Sequence, residues 1–359
     1  MMQDNLNIIT YHPCKSTGFG GVEGLIRNIQ SLSIGEKYNF VEVYNDIYGN
    51  EVCQQYNHVD YQKLVSGQRG SWILKIKERL AVYSYFSNAN YSGQLIIIFH
   101  PEHLLLLPRK TLINNKIILI QTNKFEQLFQ RFGRLSFRLF SNYIDVLSVY
   151  TKYDYNFIEN NHKNIVERTV VIPRGCKIST GIPKIALDYK LVTICRIDEN
   201  QKNLSGMIKI VENLPPKYTL DIYGIGPENE IVQLKKTISS SRVRYMGECT
   251  DVKTTLQKYN LFLMTSHYEG FGQTLIEARS QGLPIVAYDT FDALKWIVKH
   301  DFNGKIVDYE DNEEFAESIK KLLSDESSYL EYSMNSISMA KDTESDTISR
   351  LLKDMIEIG

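Results

Sequence analysis

The chain has 359 residues, 43% apolar and 23% charged, with a net charge of −1 at pH 7. That length suits two cores better than one, and the composition is that of a soluble globular protein, not of a disordered or membrane-embedded one. Five cysteines (Cys14, Cys53, Cys176, Cys195 and Cys249) are dispersed, with no C-x-x-C pair. This predicts reduced thiols instead of a disulfide frame or a zinc site. The longest apolar runs, such as 95–99, are far too short to span a bilayer. The opening MMQDNLNIITY lacks a basic segment before an apolar core, so no signal peptide and a cytoplasmic location are expected. Nucleic acid is not an expected partner. The near-zero total hides a split: residues 1–180 hold 20 Lys/Arg against 14 Asp/Glu, and the remainder 21 against 28. A positive first half points to an anionic partner on that side.

In chain order, 6–11 reads as a strand, followed by a glycine-rich turn at 16–21 and a helix from Val22. Further short apolar strands are expected at 40–44, 95–100, 116–121 and 146–150, with helical spacing over 72–86 and 125–140. A polar stretch with Gly and Pro follows Pro173 and reaches Pro183, the best linker candidate. A second series of strands is expected at 191–195, 220–223, 243–246, 261–264 and 284–288, and a last helix at 343–358. Such alternation means parallel sheets covered by helices. The expected division is 1–178, 179–342 and a terminal helix 343–359. In open α/β sheets ligands bind at the strand C-termini, so the turns there carry the chemistry.

The most informative turn lies in MTSHYEGFGQTLIEARSQGLPIVAYD, residues 264–289. An apolar run ends in a polar turn holding Glu269, then Gly270, Phe271 and Gly272. Gln273 and Thr274 open a helix-forming segment that carries Glu277. A helix N-terminus after a glycine turn offers unpaired N–H groups and the positive dipole end, which suits a phosphate. Two carboxylates beside a diphosphate cannot be phosphate ligands; they accept from hydroxyls, as a sugar on each side of the diphosphate would require. An ordinary βαβ unit with solvated glutamates has the same pattern.

The segment resembles the E-x7-E region of the retaining glycosyltransferases of the GT-B fold, glycosyltransferase family 4 in particular. Glu269 and Glu277 stand for the two glutamates, and Gly270, Phe271 and Gly272 for the glycine–aromatic–glycine turn. The resemblance implies two Rossmann-like α/β domains with parallel sheets facing across a cleft, the last helix returning to the first domain. It implies that Arg196 and Lys202, after the first strand of the second domain, neutralise the leaving diphosphate, a task that suits a planar fork and a compact ammonium. Gly224 and Gly226 stand at the family's turn near the nucleotide. Glu248 and Cys249, after Gly247, stand near the base. Gly20 and Gly21, after Gly18 and Phe19, stand where the family has its first-loop glycine pair, and His100 where a histidine lines the donor sugar. Arg196, Lys202, Glu269 and His100 are the expected catalytic set. Gly20, Gly21, Gly224, Gly226, Glu248, Cys249, Gly270, Phe271, Gly272, Gln273, Thr274 and Glu277 are the expected donor contacts. The chain departs from the family at 290–295 (TFDALK) and at Pro173, Arg174 and Gly175. No D-x-D stands at a strand end, so no metal and no cofactor are expected, with a nucleotide sugar, UDP above all, as co-substrate.

In FEQLFQRFGRLSFRLF (125–140), Phe125, Leu128, Phe129, Phe132, Leu135 and Leu139 follow helical spacing, while Arg131, Arg134 and Arg138 fall on another face. Such a helix serves either as a core element with a solvated basic face or as a contact for an anionic membrane or phosphorylated lipid. The expectation is a hexose or hexosamine transferase acting on a glycan, lipid-linked or protein acceptor in bacterial surface glycan synthesis. Its rivals are a nucleotide-sugar epimerase and a non-catalytic acceptor-binding subunit of the same fold.

Overall fold

The structure is a computed structural model and describes residues 6–18, 20–32, 38–46, 55–66, 72–89, 91–130 and 132–357. The chain divides into two compact units, Met1–Pro173 with Ile348–Gly359, and Arg174–Thr347. The division falls a few residues before 178, where the extended strand end at Thr169–Val171 gives way to the polar stretch.

The first unit holds β1 (Leu6–His12), β2 (Tyr38–Asp46), β3 (Val59–Ser66), β4 (Leu95–Ile98), β5 (Lys116–Ile120), β6 (Val146–Val149) and β7 (Thr169–Val171). They form one sheet in the order β3-β2-β1-β4-β5-β6-β7, and every pairing is parallel. The central strands are apolar on both faces: all four residues of β4, LIII, are buried. This is the mark of a parallel sheet covered on two sides. Two strands not anticipated from the sequence are the edges of this sheet: β3 mixes polar and apolar residues with no continuous apolar run, and β7 is only three residues long. The helix Ser345–Glu357 places Ile348, Leu352, Met355 and Ile356 in a core cluster with Ile8, Leu25, Ile29 and Leu95 of this unit.

The second unit holds β8 (Lys190–Ile194), β9 (Thr219–Tyr223), β10 (Val243–Gly247), β11 (Leu261–Met264), β12 (Ile285–Tyr288) and β13 (Gly304–Val307). Their order is β10-β9-β8-β11-β12-β13, again all parallel. The last strand, GKIV, escaped the sequence reading because glycine and lysine dilute a four-residue run. Each unit is thus a Rossmann-like α/β layer structure. In each sheet the strand order reverses once, between β1 and β4 and between β8 and β11. A crevice opens at the strand C-termini at such a switch point.

Candidate functional site

The second unit's switch point gathers the expected diphosphate ligands. The chain leaves β8 through Cys195, Arg196 and Ile197. Cys195 N–H donates to the Tyr223 carbonyl (3.0 Å) and Ile197 N–H to that of Ile225 (2.8 Å), pressing this exit against the exit of β9. Glycine is required on the facing side. A Cβ on Gly224, whose φ is +154°, would lie 1.8 Å from the Cys195 carbonyl oxygen, and one on Gly226 2.3 Å from that of Ile197. Gly224 and Gly226 are therefore explained by backbone close approach, a reason independent of any ligand.

Past Arg196 runs the one-turn helix Glu199–Lys202, closed by Asn203 in the left-handed conformation. The Thr265 hydroxyl donates to the Lys202 and Asn203 carbonyls (3.1 and 2.9 Å), and His267 N–H to the Gln201 carbonyl (2.8 Å). These bonds stitch the exit of β11 to the helix and put the Lys202 ammonium against the Glu269 carboxylate. The two side chains are 12% and 11% exposed, so the pair is shielded from water and the Ser266 hydroxyl adds a bond to Glu269 (2.8 Å). Arg196 stands outside at 62% exposure, 3.3 Å from Asp198 and 2.5 Å from the Gln201 amide oxygen. Burial pushes the Cys195 thiol up to about 11, with Lys202 pulling the other way and Glu269 and Arg196 also within electrostatic reach. Lys202 and Glu269, 67 residues apart in sequence, thus meet as one shielded pair.

Gly272, with φ +88°, is the N-cap of the helix Gln273–Ser280. A left-handed backbone at the cap suits glycine, and the first N–H groups of a helix have no partner inside it; here Leu275 N–H turns back to the Gly272 carbonyl (3.0 Å). The ring of Phe271, one of the expected donor contacts, is buried beside Trp296, with centroids 6.0 Å apart. The glycine–aromatic–glycine turn uses its aromatic residue to pin the turn to the core. The side chains of Gln273 and Thr274 are half-buried, as is Gly270. Gln273 donates to the Gly175 carbonyl (2.9 Å) and lies 3.5 Å from Glu277. Glu277 is 7% exposed, and burial raises its carboxyl above the ordinary 4.5, opposed by Lys177, the Gln273 amide and Arg174. Cys249 is half-buried within electrostatic reach of Glu277, while Glu248 is exposed. Arg174 and Lys177 were missed as neighbours of Glu277; they come from the segment read as linker, which carries no periodic signal.

His100 follows β4 at the first unit's switch point. Its Nδ1 accepts from Glu102 N–H (3.1 Å) and so caps the 3-10 helix Pro101–Leu106. Burial lowers its pKa, keeping the ring neutral, with the proton on Nε2. Gly20 caps the helix Gly21–Gln30, and the Glu23 carboxylate folds over it. Beside these, a cavity of about 510 Å³ is lined by Tyr11, Lys75, Arg79, Tyr83, Glu102 and His103; no sequence motif marks it. Phe19 and Arg131 lie outside the described residues. The single helix expected over 125–140 is two, Phe125–Leu128 and Phe132–Phe140. The break comes where Gly133 passes so close to the Leu128 carbonyl that a Cβ would sit 1.9 Å away. The second piece consequently resets its buried face. Gly133, Ser136 and Phe137 point inward, and Phe132, Leu135 and Leu139 are exposed beside Arg134 and Arg138 instead of lying in the core. Among the described residues no helix is long and apolar enough to cross a membrane.

Comparison with solved structures gives the fold. The Anabaena protein Alr3699/HepE, crystallised in complex with UDP, matches with a TM-score of 0.78 over 99% of this chain and 100% of its own, at 16% identity. Among curated proteins, the poly(glycerol-phosphate) alpha-glucosyltransferase of Bacillus subtilis (strain 168) is 32% identical over 160 residues, 43% of this chain and 23% of that protein. The lipopolysaccharide core biosynthesis glycosyltransferase LpsE of Rhizobium meliloti (strain 1021) is 31% identical over 129 residues, 35% of this chain and 37% of that protein. The matched region spans less than two fifths of either relative. Residues 181–339, nearly all of the second unit and every residue of the Arg196, Lys202, Glu269 and Glu277 constellation, match the glycosyl transferases group 1 family.

Proposed function

We propose that the protein is a retaining glycosyltransferase that moves a hexose or hexosamine from a UDP-linked donor to a surface-glycan acceptor. The observation that carries this is the shielded Lys202–Glu269 pair beside Arg196 at the β8/β11 switch point, followed by the Gly272-capped helix. A departing diphosphate needs positive charge already in place in a site from which water is excluded. Arg196, Lys202 and the first N–H groups of the helix Gln273–Ser280 supply it. Glu269, released from Lys202 as the diphosphate takes over that cation, accepts from hydroxyls of the transferred sugar, and Glu277 accepts from the ribose. The leaving phosphate oxygen receives the acceptor proton on the same face, so no side-chain base and no metal enter the transfer. The family match over residues 181–339 and the UDP complex of a protein with this fold support the donor class.

For the acceptor, the first unit offers the cavity between the helix Trp72–Asn88 and Pro101–Leu106, and an apolar surface edged with cations. Trp72, Ile73, Ile76 and Leu80 on one helix and Phe132, Leu135 and Leu139 on another are exposed, and Arg79 lies over the Phe132 ring at 5.5 Å. Together with Arg134 and Arg138 this suits an anionic membrane face presenting a lipid-linked acceptor. A glycan or protein acceptor is the other source.

The test is a panel of nucleotide sugars, read first by thermal shift and then by product analysis with and without a lipid-linked acceptor. Stabilisation by UDP and one UDP sugar is expected, since a ligand that binds only the folded state raises its melting temperature. No stabilisation by any nucleoside diphosphate would sink the donor assignment. Conversion of donor alone to an epimer would favour the rival enzyme. Co-sedimentation with anionic but not neutral vesicles, weakened in an Arg131→Gln, Arg134→Gln, Arg138→Gln variant, tests the membrane part separately.

A further inference from the structure

Around the start of the first helix, three side chains of different chemistry converge. A ring nitrogen of His12, Sγ of Cys14 and a carboxylate oxygen of Glu23 all lie within 4.8 Å of one another, each residue half-buried. His12 ends β1, Cys14 is in the turn, and Glu23 is in the first turn of the helix Gly21–Gln30. We propose that His12, Cys14 and Glu23 form a binding site for a divalent transition metal of the zinc class, with three protein ligands and one open position.

Nitrogen, thiolate and carboxylate are all ligands that Zn²⁺ accepts, whereas magnesium and calcium want oxygen throughout. In a tetrahedron with bonds of about 2.0–2.3 Å the ligand atoms stand roughly 3.3–3.8 Å apart. Three atoms already within 4.8 Å need side-chain adjustments of about an ångström and no backbone movement. Metal-binding histidines commonly donate their other ring N–H to a backbone carbonyl, fixing the tautomer. Here His12 Nδ1 lies 3.0 Å from the Cys14 carbonyl oxygen and 3.2 Å from the Cys14 backbone N–H; in the tautomer that donates to the carbonyl, Nε2 is the nitrogen with a lone pair to give. On binding, the Cys14 thiol proton passes to solvent and the sulfur–metal bond takes its place.

The turn between the ligands is braced from both sides. Arg27 donates to the Gly18 carbonyl (2.7 Å) and to that of Ser16. Buried Glu42 accepts from the Ser16 N–H and hydroxyl (2.6 Å each). A braced turn holds His12, Cys14 and Glu23 together before any metal arrives, which lowers the ordering cost of binding. An acidic residue in the first turn of a helix, as Glu23 is, is explained by the helix dipole alone; that does not explain a histidine and a cysteine facing it. The proposal does not rest on the transferase reading, although Glu23 folds over Gly20, one of the expected donor contacts.

The experiment is a Co²⁺ titration of the full chain after treatment with a chelator, followed by Zn²⁺ competition. One equivalent of Co²⁺ should give a thiolate-to-metal absorption that Zn²⁺ discharges. Cys14→Ser should abolish the absorption. Glu23→Gln and His12→Ala should weaken Co²⁺ binding at least by the roughly tenfold that loss of even an outer-shell partner costs. Cys53→Ser should leave binding unchanged. Glu23→Gln, which keeps the size of the side chain, carries the test if Cys14→Ser does not fold. Absence of the absorption, or binding unaltered in Glu23→Gln and Cys14→Ser, overturns the proposal.

Discussion

Lys202 and Glu269 neutralise each other in a place where water reaches barely a tenth of either side chain, and removing one partner leaves the other charge exposed to the full cost of burial. Arg196 has no such burden, being mostly solvated. Lys202→Ala and Arg196→Ala should therefore both cut turnover by roughly 10²–10³, the usual effect of losing one preorganised charge-stabilising group. Only Lys202→Ala should also lower the melting temperature. Near-wild-type transfer in both would remove these residues from the reaction. Glu277 differs again, since its carboxyl is raised above 4.5 chiefly by burial. The folded state holds the proton where the unfolded state has released it, so this group subtracts stability as pH rises above 4.5. Glu277→Gln is expected to melt no lower than wild type at pH 7, to lose part of the decline in stability between pH 4.5 and neutrality, and to bind the UDP sugar more weakly. Melting several degrees lower would make the carboxylate a structural group. A buried carboxyl held at a stability cost marks a candidate functional position. The sequence could show the spacing of Glu269 and Glu277 but not that one pairs with a lysine and the other is buried among cations from the linker.

At the scale of elements, glycines decide how closely the pieces approach. Gly224 lets β9 leave its sheet in contact with the exit of β8, with Gly224 N–H donating to the Gly247 carbonyl (2.7 Å). Gly224→Ala would drive a methyl into the Cys195 carbonyl oxygen, and should cost at least about 2 kcal/mol in denaturant unfolding. Nucleotide binding should weaken with it, because the Arg196 loop must shift. A variant as stable as wild type would show that the turn relaxes freely. The same device explains the error over 125–140. The apolar spacing there is continuous in sequence, so a single helix was the natural reading. Gly133 breaks the period, and three apolar residues face outward as a result. Hydrophobic spacing reports which residues could share a face, and a break in the backbone changes which face that is.

For the whole chain, the first unit is completed by its last helix. Ile348, Leu352, Met355 and Ile356 enter the core beside β1 and β4. Leu352 is 2% exposed, and Leu352→Ala should cost about 2–4 kcal/mol through lost burial and the cavity left behind. Hydrogen exchange would locate the loss. Faster exchange is expected in β1, β4 and β5, with β11 and β12 unchanged, because units open separately when their cores are separate. Uniform acceleration across both sheets would contradict that separation.

What the sequence determined by itself was the alternation of short apolar strands with helices, hence two parallel α/β layers, and the glycine turn with two glutamates eight residues apart. Those features are local: a strand's apolar run or a helix cap is dictated by neighbours within a few residues. The strand order was decided only by the tertiary structure, and with it everything assembled across the switch points. β11 lies against β8 although four helices and two strands separate them in sequence, and that adjacency alone brings Lys202 to Glu269. His12, Cys14 and Glu23 converge in the same way, where a strand end and a helix start fold onto one turn. No periodicity records such meetings, because they are fixed by how buried apolar faces pack and not by the spacing of the polar residues that end up together.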